Sequence, residues 1–245
     1  MKKDKNNQAS NIELRRKIQL GDRTPFSVKE AYKLTRTNIL FSLAEQGCKC
    51  IGFTSAYPKE GKTTTAMNTA ISLAQMGKRT LLIDGDMRKP QVHKVFNLDN
   101  QVGLSNVVGG FAATEDVIHK LDSGLHVMTA GHIPPNPVEL LGSNRMKKLL
   151  EVLGEHYEYI FIDTPPVNVV SDAIVLSENL SGVIMVAKQN ESKHPELEEA
   201  MNKLNFAKAK ILGIILTGVT ARNSKYGKYG KYGKYGKYKG YEVYE

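Results

Sequence analysis

Cysteine is nearly absent: Cys48 and Cys50 are the two such residues in 245. Two apart at the entry to an apolar strand, they are too few and too close for a disulfide framework. They read as reduced thiols of a cytoplasmic protein. Long apolar runs are missing as well. No stretch approaches the ~20 apolar residues of a membrane span, and positions 1–19 are polar and charged without an apolar signal core, so the chain itself is expected to be soluble. The six histidines, at 93, 119, 126, 132, 156 and 194, show no ligand spacing, and none is assigned to zinc. A concentrated excess of charge is wanting outside the C-terminus. Of a net +9, the stretch from Lys225 to Glu245 carries six lysines against two glutamates, leaving +5 for the rest. A body so mildly basic gives little support to direct nucleic-acid binding.

What is present suffices for one good core, since 41% of the chain is hydrophobic. The expected organisation is a flexible segment over 1–24, one domain over 25–224 and a biased tail over 225–245. Ser27 and Glu30 form the ends of a capping box opening a helix over 27–46. Inside it Glu30, Lys33 and Arg36 fall three apart and share a face, which pattern alone reads as a solvated stripe.

The chemistry gathers after the next apolar strand, Cys50 to Thr54. The loop Ala56-Tyr57-Pro58-Lys59-Glu60-Gly61-Lys62-Thr63-Thr64 fits the phosphate-binding pattern with alanine in place of the first glycine. Backbone N–H groups at a helix start face phosphate oxygens, the lysine reaches the outer phosphates, and the hydroxyl binds Mg2+. Its helix is expected to run to Met76 and stop at Gly77. Leu81 to Ile83 form a short buried strand that delivers Asp84 and Asp86, and Tyr159 to Ile162 form another that delivers Asp163. Carboxylates there are costly unless they serve a cation, and after a phosphate loop they point to a metal–nucleotide site; helix capping by Asp84 or Asp86 is the plainer alternative. Asp172 reads as a cap of the following helix. The stretch 89–124 carries nothing assignable to chemistry, whereas Pro134, Pro135 and Pro137 fix an extended loop before a helix. Strands over 125–129, 182–188 and 210–217, with a helix whose N1 position suits Pro195, complete an alternating pattern. The expected fold is α/β, a doubly wound and mostly parallel sheet with its site at the C-terminal strand ends.

From Tyr226 tyrosine recurs every third residue, at Tyr229, Tyr232, Tyr235, Tyr238, Tyr241 and Tyr244, between glycines and lysines. Such a segment cannot bury a core and is expected to be disordered and exposed. It could stack on single-stranded nucleic acid, serve as an inert tail or present phenols as substrates. Its twenty residues, extended, reach up to ~66–72 Å.

Taken together, these motifs closely resemble the bacterial tyrosine kinases, in their short cytoplasmic CpsD/CapB-type form associated with capsule and exopolysaccharide synthesis. The resemblance spans nearly everything from Phe26 onward: the loop with Lys62 and Thr63, Ile83-Asp-Gly-Asp-Met-Arg88, the Pro-Pro-Asn-Pro segment, Asp163-Thr-Pro-Pro166 and the terminal tyrosines. It implies a P-loop fold of the partition-ATPase group using ATP and Mg2+. Lys62 would clamp phosphates, Thr63 would ligate Mg2+, Asp86 and Asp163 would position the ion, and Asp84 would take the proton of the attacking tyrosine. Glu30, Arg36 and Asn38 match an element that in relatives packs against a neighbouring subunit of a ring and favours phosphorylation in trans. That replaces the solvated-stripe reading. Lys33 stands where the family has arginine, Lys59 where it commonly has glycine, and Thr217 where related ATPases often carry a base-recognising asparagine. Further implications are a transmembrane activator of the polysaccharide co-polymerase kind, recruitment to the inner face of the membrane through it, and an opposing phosphotyrosine phosphatase.

Two rivals remain. A partition or septum-positioning switch ATPase usually has a second lysine at the place held by Tyr57, and its membrane type ends in an amphipathic helix; neither is found here. A nucleic-acid binder acting through the tail leaves Lys62, Asp84, Asp86 and Asp163 unexplained.

Overall fold

The computed structural model describes residues 19–43 and 47–219; the tail tyrosines and the segment 1–18 lie outside them. Helix α1, Phe26–Ser42, precedes strand β1, Lys49–Ser55. Then come α2 (Lys62–Ala74), β2 (Thr80–Asp84), α3 (Val92–Phe96), α4 (Leu104–Gly109), β3 (Ile118–Lys120) and β4 (His126–Met128). The chain continues through α5 (Pro137–Leu141), α6 (Asn144–His156), β5 (Tyr159–Asp163), α7 (Asp172–Leu176), β6 (Gly182–Lys188), α8 (His194–Phe206) and β7 (Ile211–Thr217).

Seven strands form one sheet in the order β3-β4-β2-β5-β1-β6-β7. All neighbours are parallel except β3, which turns back against β4. Strands β1, β2 and β5 are buried along their whole length, the mark of a central parallel sheet covered on both faces. Their side chains alternate between two cores. Ile51, Phe53, Leu82 and Phe161 face α1 and α2, packing on Ile39, Met67, Ala70 and Leu73. Leu81, Ile83, Ile160 and Ile162 face the other way, onto Leu104, Val108, Leu149 and Leu153 of α4 and α6.

Several expected boundaries shift. Helix α1 starts at Phe26 directly after Pro25, whose extended backbone forms the break, and no side chain caps it. Ser27 therefore lies inside the first turn, no capping box forms, and Glu30 instead pairs with Lys33 at 2.8 Å. The described helix ends at Ser42, short of the expected 46. Helix α2 ends at Ala74, and Gly77, with φ +79°, finishes the turn after it. In α8 the first helical residue is His194, so Pro195 sits second.

This topology decides where the site lies. Chain direction reverses its progress across the sheet at β1, with β5 on one side and β6 on the other. Such a switch point opens a crevice at the carboxyl ends of the strands, and the phosphate loop fills it.

Candidate active site

The parallel register puts the acids side by side. Asp84 at the end of β2 is the register partner of Asp163 at the end of β5, and Asp163 is also level with Phe53 of β1. Both carboxylates are fully buried. The turn after β2 crosses over β5, where Gly85 donates its N–H to the Asp163 carbonyl at 2.8 Å. A Cβ on Gly85 would meet Ile162 Cγ2 at 2.8 Å, so glycine is required for that approach. The crossing brings Asp86 into the same cluster.

Lys62 opens α2 and reaches into this group. Its Nζ lies 3.1 Å from Asp86 Oδ2 and 3.4 Å from Asp163 Oδ1. Thr63 donates its hydroxyl to Asp163 Oδ2 at 2.6 Å. Burial works to lower the Lys62 pKa, yet Asp163 and Asp86 outweigh it and hold the ammonium above its ordinary range. Burial pushes the Asp84 carboxyl up to about 8, with Asp163 adding to the rise. Asp163 is likewise raised by burial, against the opposing pull of Lys62 and Thr63.

Asp84 also meets the start of the next helix. Its Oδ2 accepts N–H groups from Gln91 at 3.0 Å and Val92 at 2.9 Å, where α3 begins, and its Oδ1 accepts that of Asp86 at 3.2 Å. Asp86 Oδ1 accepts from the Lys89 amide at 3.0 Å. The stretch from Lys89 onward, silent in sequence, thus supplies amides that orient two acids. Asp172 is not a cap: Ser171 holds that position, and Asp172, fully buried, is gripped by Arg88 through Nε and Nη2 at 3.0 Å. The segment after β5 is stitched to the loop's entry, with Thr54 donating to the Pro165 carbonyl at 2.8 Å and Asn168 donating its N–H to Ala56.

The loop itself has the form a polyphosphate needs. Gly61 caps α2 in the left-handed region at φ +95°, and the first amides of a helix have no partner within it. Lys59 is left-handed too, at φ +72°, which explains why a glycine suits that position. Thr217 stands against Gly61, its side chain 3.3 Å from where a Cβ would be, and donates to the Glu60 carbonyl at 2.7 Å.

The fit to Mg2+ can be judged from these donors. Among the described residues no group of three His, Cys, Asp or Glu side chains is arranged to hold a metal by itself. Mg2+ commonly takes one or two carboxylates, waters and substrate phosphates instead, and Thr63 beside Asp163 offers that partial set.

Other residues singled out in the sequence lie elsewhere. Pro134, Pro135 and Asn136 line a cavity of about 470 Å³ with Phe111 and His132. Glu30 pairs with Lys33 along α1, Asn38 lines a groove between α1 and β7 with Leu34 and Leu216, and Arg36 donates to the Ser72 carbonyl of its own chain at 2.8 Å.

A glycine-capped helix start, a lysine and paired acids at the switch point of a parallel sheet define a P-loop nucleotide-binding protein. Residues 49–208 match a family model described as an AAA domain. Tyrosine-protein kinase YwqD of Bacillus subtilis (strain 168) is 40% identical over 199 residues, covering 80% of this chain and 84% of that protein. The kinase domain of the Escherichia coli tyrosine kinase ETK is similar with a TM-score of 0.77 and 35% identity, over 80% of this chain and 78% of that one. The chain therefore belongs to the bacterial tyrosine-protein kinases. The septum site-determining protein MinD of Pyrococcus horikoshii OT3, solved with Mg-ADP, is similar over 71% of this chain and 73% of that one, with a TM-score of 0.60 and 24% identity; it shares the fold.

Proposed function

We propose that this kinase uses ATP and Mg2+ to phosphorylate tyrosines of its own C-terminal segment, acting between neighbouring subunits. The observation that carries the reading is the convergence of Lys62, Asp84, Asp86 and Asp163 in one buried cluster at the start of α2. The phosphates would lie on the amides of Lys59 to Thr64, with Ala56, Tyr57 and Pro58 shaping the loop's entry. Thr63, with Asp86 and Asp163 acting through water, would hold Mg2+, which would supply positive charge to the phosphoryl group and favour the ionised form of Asp84. Lys62 would turn from the carboxylates to the phosphate oxygens. Asp84 is suited to receive the phenolic proton because the parallel register sets it beside Asp163 at the strand ends, in the cluster where Lys62 would meet the phosphates. Phosphoryl transfer needs little more than this positioning and charge neutralisation.

Strand β7 supports the tail as substrate. Thr217 at its end is bonded to the phosphate loop, so the chain leaves the sheet beside the site. In this reading residues 25–224 form the kinase domain and 225–245 the substrate tail; of the segment 1–24, expected to be flexible, Leu20 is instead buried in the core and donates its N–H to Asn68 at 2.8 Å. Glu30, Lys33, Arg36 and Asn38 would belong to a ring interface. Among the described residues no helix is long and apolar enough to cross a membrane. A transmembrane activator would bring the kinase to the inner membrane face, where it would regulate capsule or exopolysaccharide synthesis against a phosphotyrosine phosphatase.

Intact mass after incubation with Mg2+-ATP, with and without a peptide of the activator's cytoplasmic end, tests this beside Lys62→Met. The intact chain should gain several phosphates and the variant none. ATP hydrolysis without any mass gain would move the switch-ATPase reading ahead.

A further inference from the structure

The phosphate loop contains a carboxylate that none of the chemistry above employs. Glu60 is buried, 6% exposed, although a negative charge in a polyphosphate site repels the ligand. Its bonds show what holds it there. Oε2 accepts the Tyr57 N–H at 2.9 Å, closing the loop across its own base. Oε1 accepts the hydroxyl of Ser192, which lies 132 residues away in the turn after β6. Ser192 Oγ in turn accepts the Lys188 N–H at 2.7 Å, while Thr217 holds the Glu60 carbonyl and accepts the Gln189 N–H on its own carbonyl at 2.9 Å. The carboxylate therefore bonds along the loop and toward the β6 turn. Among the described residues, no loop hydrogen bond takes the backbone N–H of Lys59, Glu60 or Gly61, and those of Lys62 and Thr63 begin the helix.

We propose that Glu60 is a positioning residue for nucleotide binding: anchored by Ser192, its side chain shapes the loop so that the amides from Lys59 to Thr63 face the phosphates. The brace does the work here that a second glycine and tight backbone turns do in an ordinary loop of this kind. This loop has alanine at position 56 and a lysine in the left-handed region at 59, so a side chain supplies the closure. It also ties the loop to the turn after β6 and to the end of β7, so occupation of that side of the site is coupled to the loop's shape.

The inference rests on nucleotide binding at this loop, and the test separates the two. Affinity for Mg-ADP is measured by calorimetry on the full chain, with ATP kinetics alongside, for Ser192→Ala, Glu60→Ala, Glu60→Gln and the double variant Glu60→Ala/Ser192→Ala. Losing one such bond corresponds to roughly 10-fold in affinity. Ser192→Ala and Glu60→Ala should each weaken binding about that much and raise KM for ATP, with kcat within about threefold. Glutamine can accept from Tyr57 and donate to Ser192, so Glu60→Gln should bind within about twofold of the unmodified chain. The double variant should be little weaker than either single one, because both break the same link. Unchanged affinity in the alanine variants, additive losses in the double variant, or a glutamine variant as weak as the alanine one would each overturn the proposal. An unmodified chain that binds no Mg-ADP would instead overturn the functional reading beneath it.

Discussion

The two sides of the phosphate loop are built from different materials. On the β2–β5 side, charge is concentrated: Asp84, Asp86 and Asp163 surround Lys62, and Arg88 grips Asp172 behind them. On the β6–β7 side the links to Glu60 are hydroxyl bonds from Ser192 and Thr217, and the Lys188 amide donates in turn to Ser192. The strands differ in the same sense, since β2 and β5 are buried throughout while Ile214 and Leu216 of β7 are about half exposed. The two sides carry different costs of burial. Buried charge is costly unless it is paired, and the charged side is set into strands that are buried throughout. The shaping side can be lighter and closer to the surface.

That contrast can be broken at graded cost. Asp84→Asn should cost the most in rate. An asparagine oxygen can still accept the Gln91 and Val92 amides, so folding and nucleotide affinity should persist while kcat falls by about 10²–10⁴, the usual worth of a positioned base; single-turnover phosphorylation of a tyrosine peptide reads it. A kcat within a few-fold of the unmodified chain would return Asp84 to a helix-orienting role alone. Next, Arg88→Ala leaves Asp172 buried without its cation. Loss of one partner of such a pair should destabilise the domain by roughly 3 kcal/mol, seen in denaturant unfolding, and should lower kcat because Asp86 lies in the same turn. The smallest effect should come from Lys59→Gly. Relief of a left-handed non-glycine residue should add roughly 1 kcal/mol of stability, measured by thermal unfolding, and leave kcat unchanged.

The charged side was legible in the sequence because each of its parts is local. A short apolar run ending in an acid, at 81–84 and 159–163, announces both the strand and the residue it delivers, and Gly61-Lys62-Thr63 announces the helix start. The parallel alternation then brings the strand ends together. The shaping side was not legible, for the same physical reason reversed. Ser192 meets Glu60 across 132 residues, and on the charged side too Asp172 meets Arg88 across 84; neither contact leaves a periodic mark. Asp172 consequently read as a cap. Ser27 and Glu30 failed differently: the spacing of a capping box was present, but Pro25 had already begun the helix two residues earlier. Arg36 shows a further limit, for its place on a charged stripe conceals a bond to the Ser72 carbonyl of its own chain.

In the proposed function the cluster around Lys62 transfers phosphate to the tail of another copy. The direct measurement mixes two full-length variants with Mg2+-ATP and the activator peptide. One carries Lys62→Met with its seven tail tyrosines intact, and the other keeps Lys62 but has phenylalanine at all seven positions. Intact mass should show phosphates on the Lys62→Met chain only when the second variant is present. A Lys62→Met chain that stays unmodified in the mixture, while the unaltered chain phosphorylates itself, would contradict transfer between subunits.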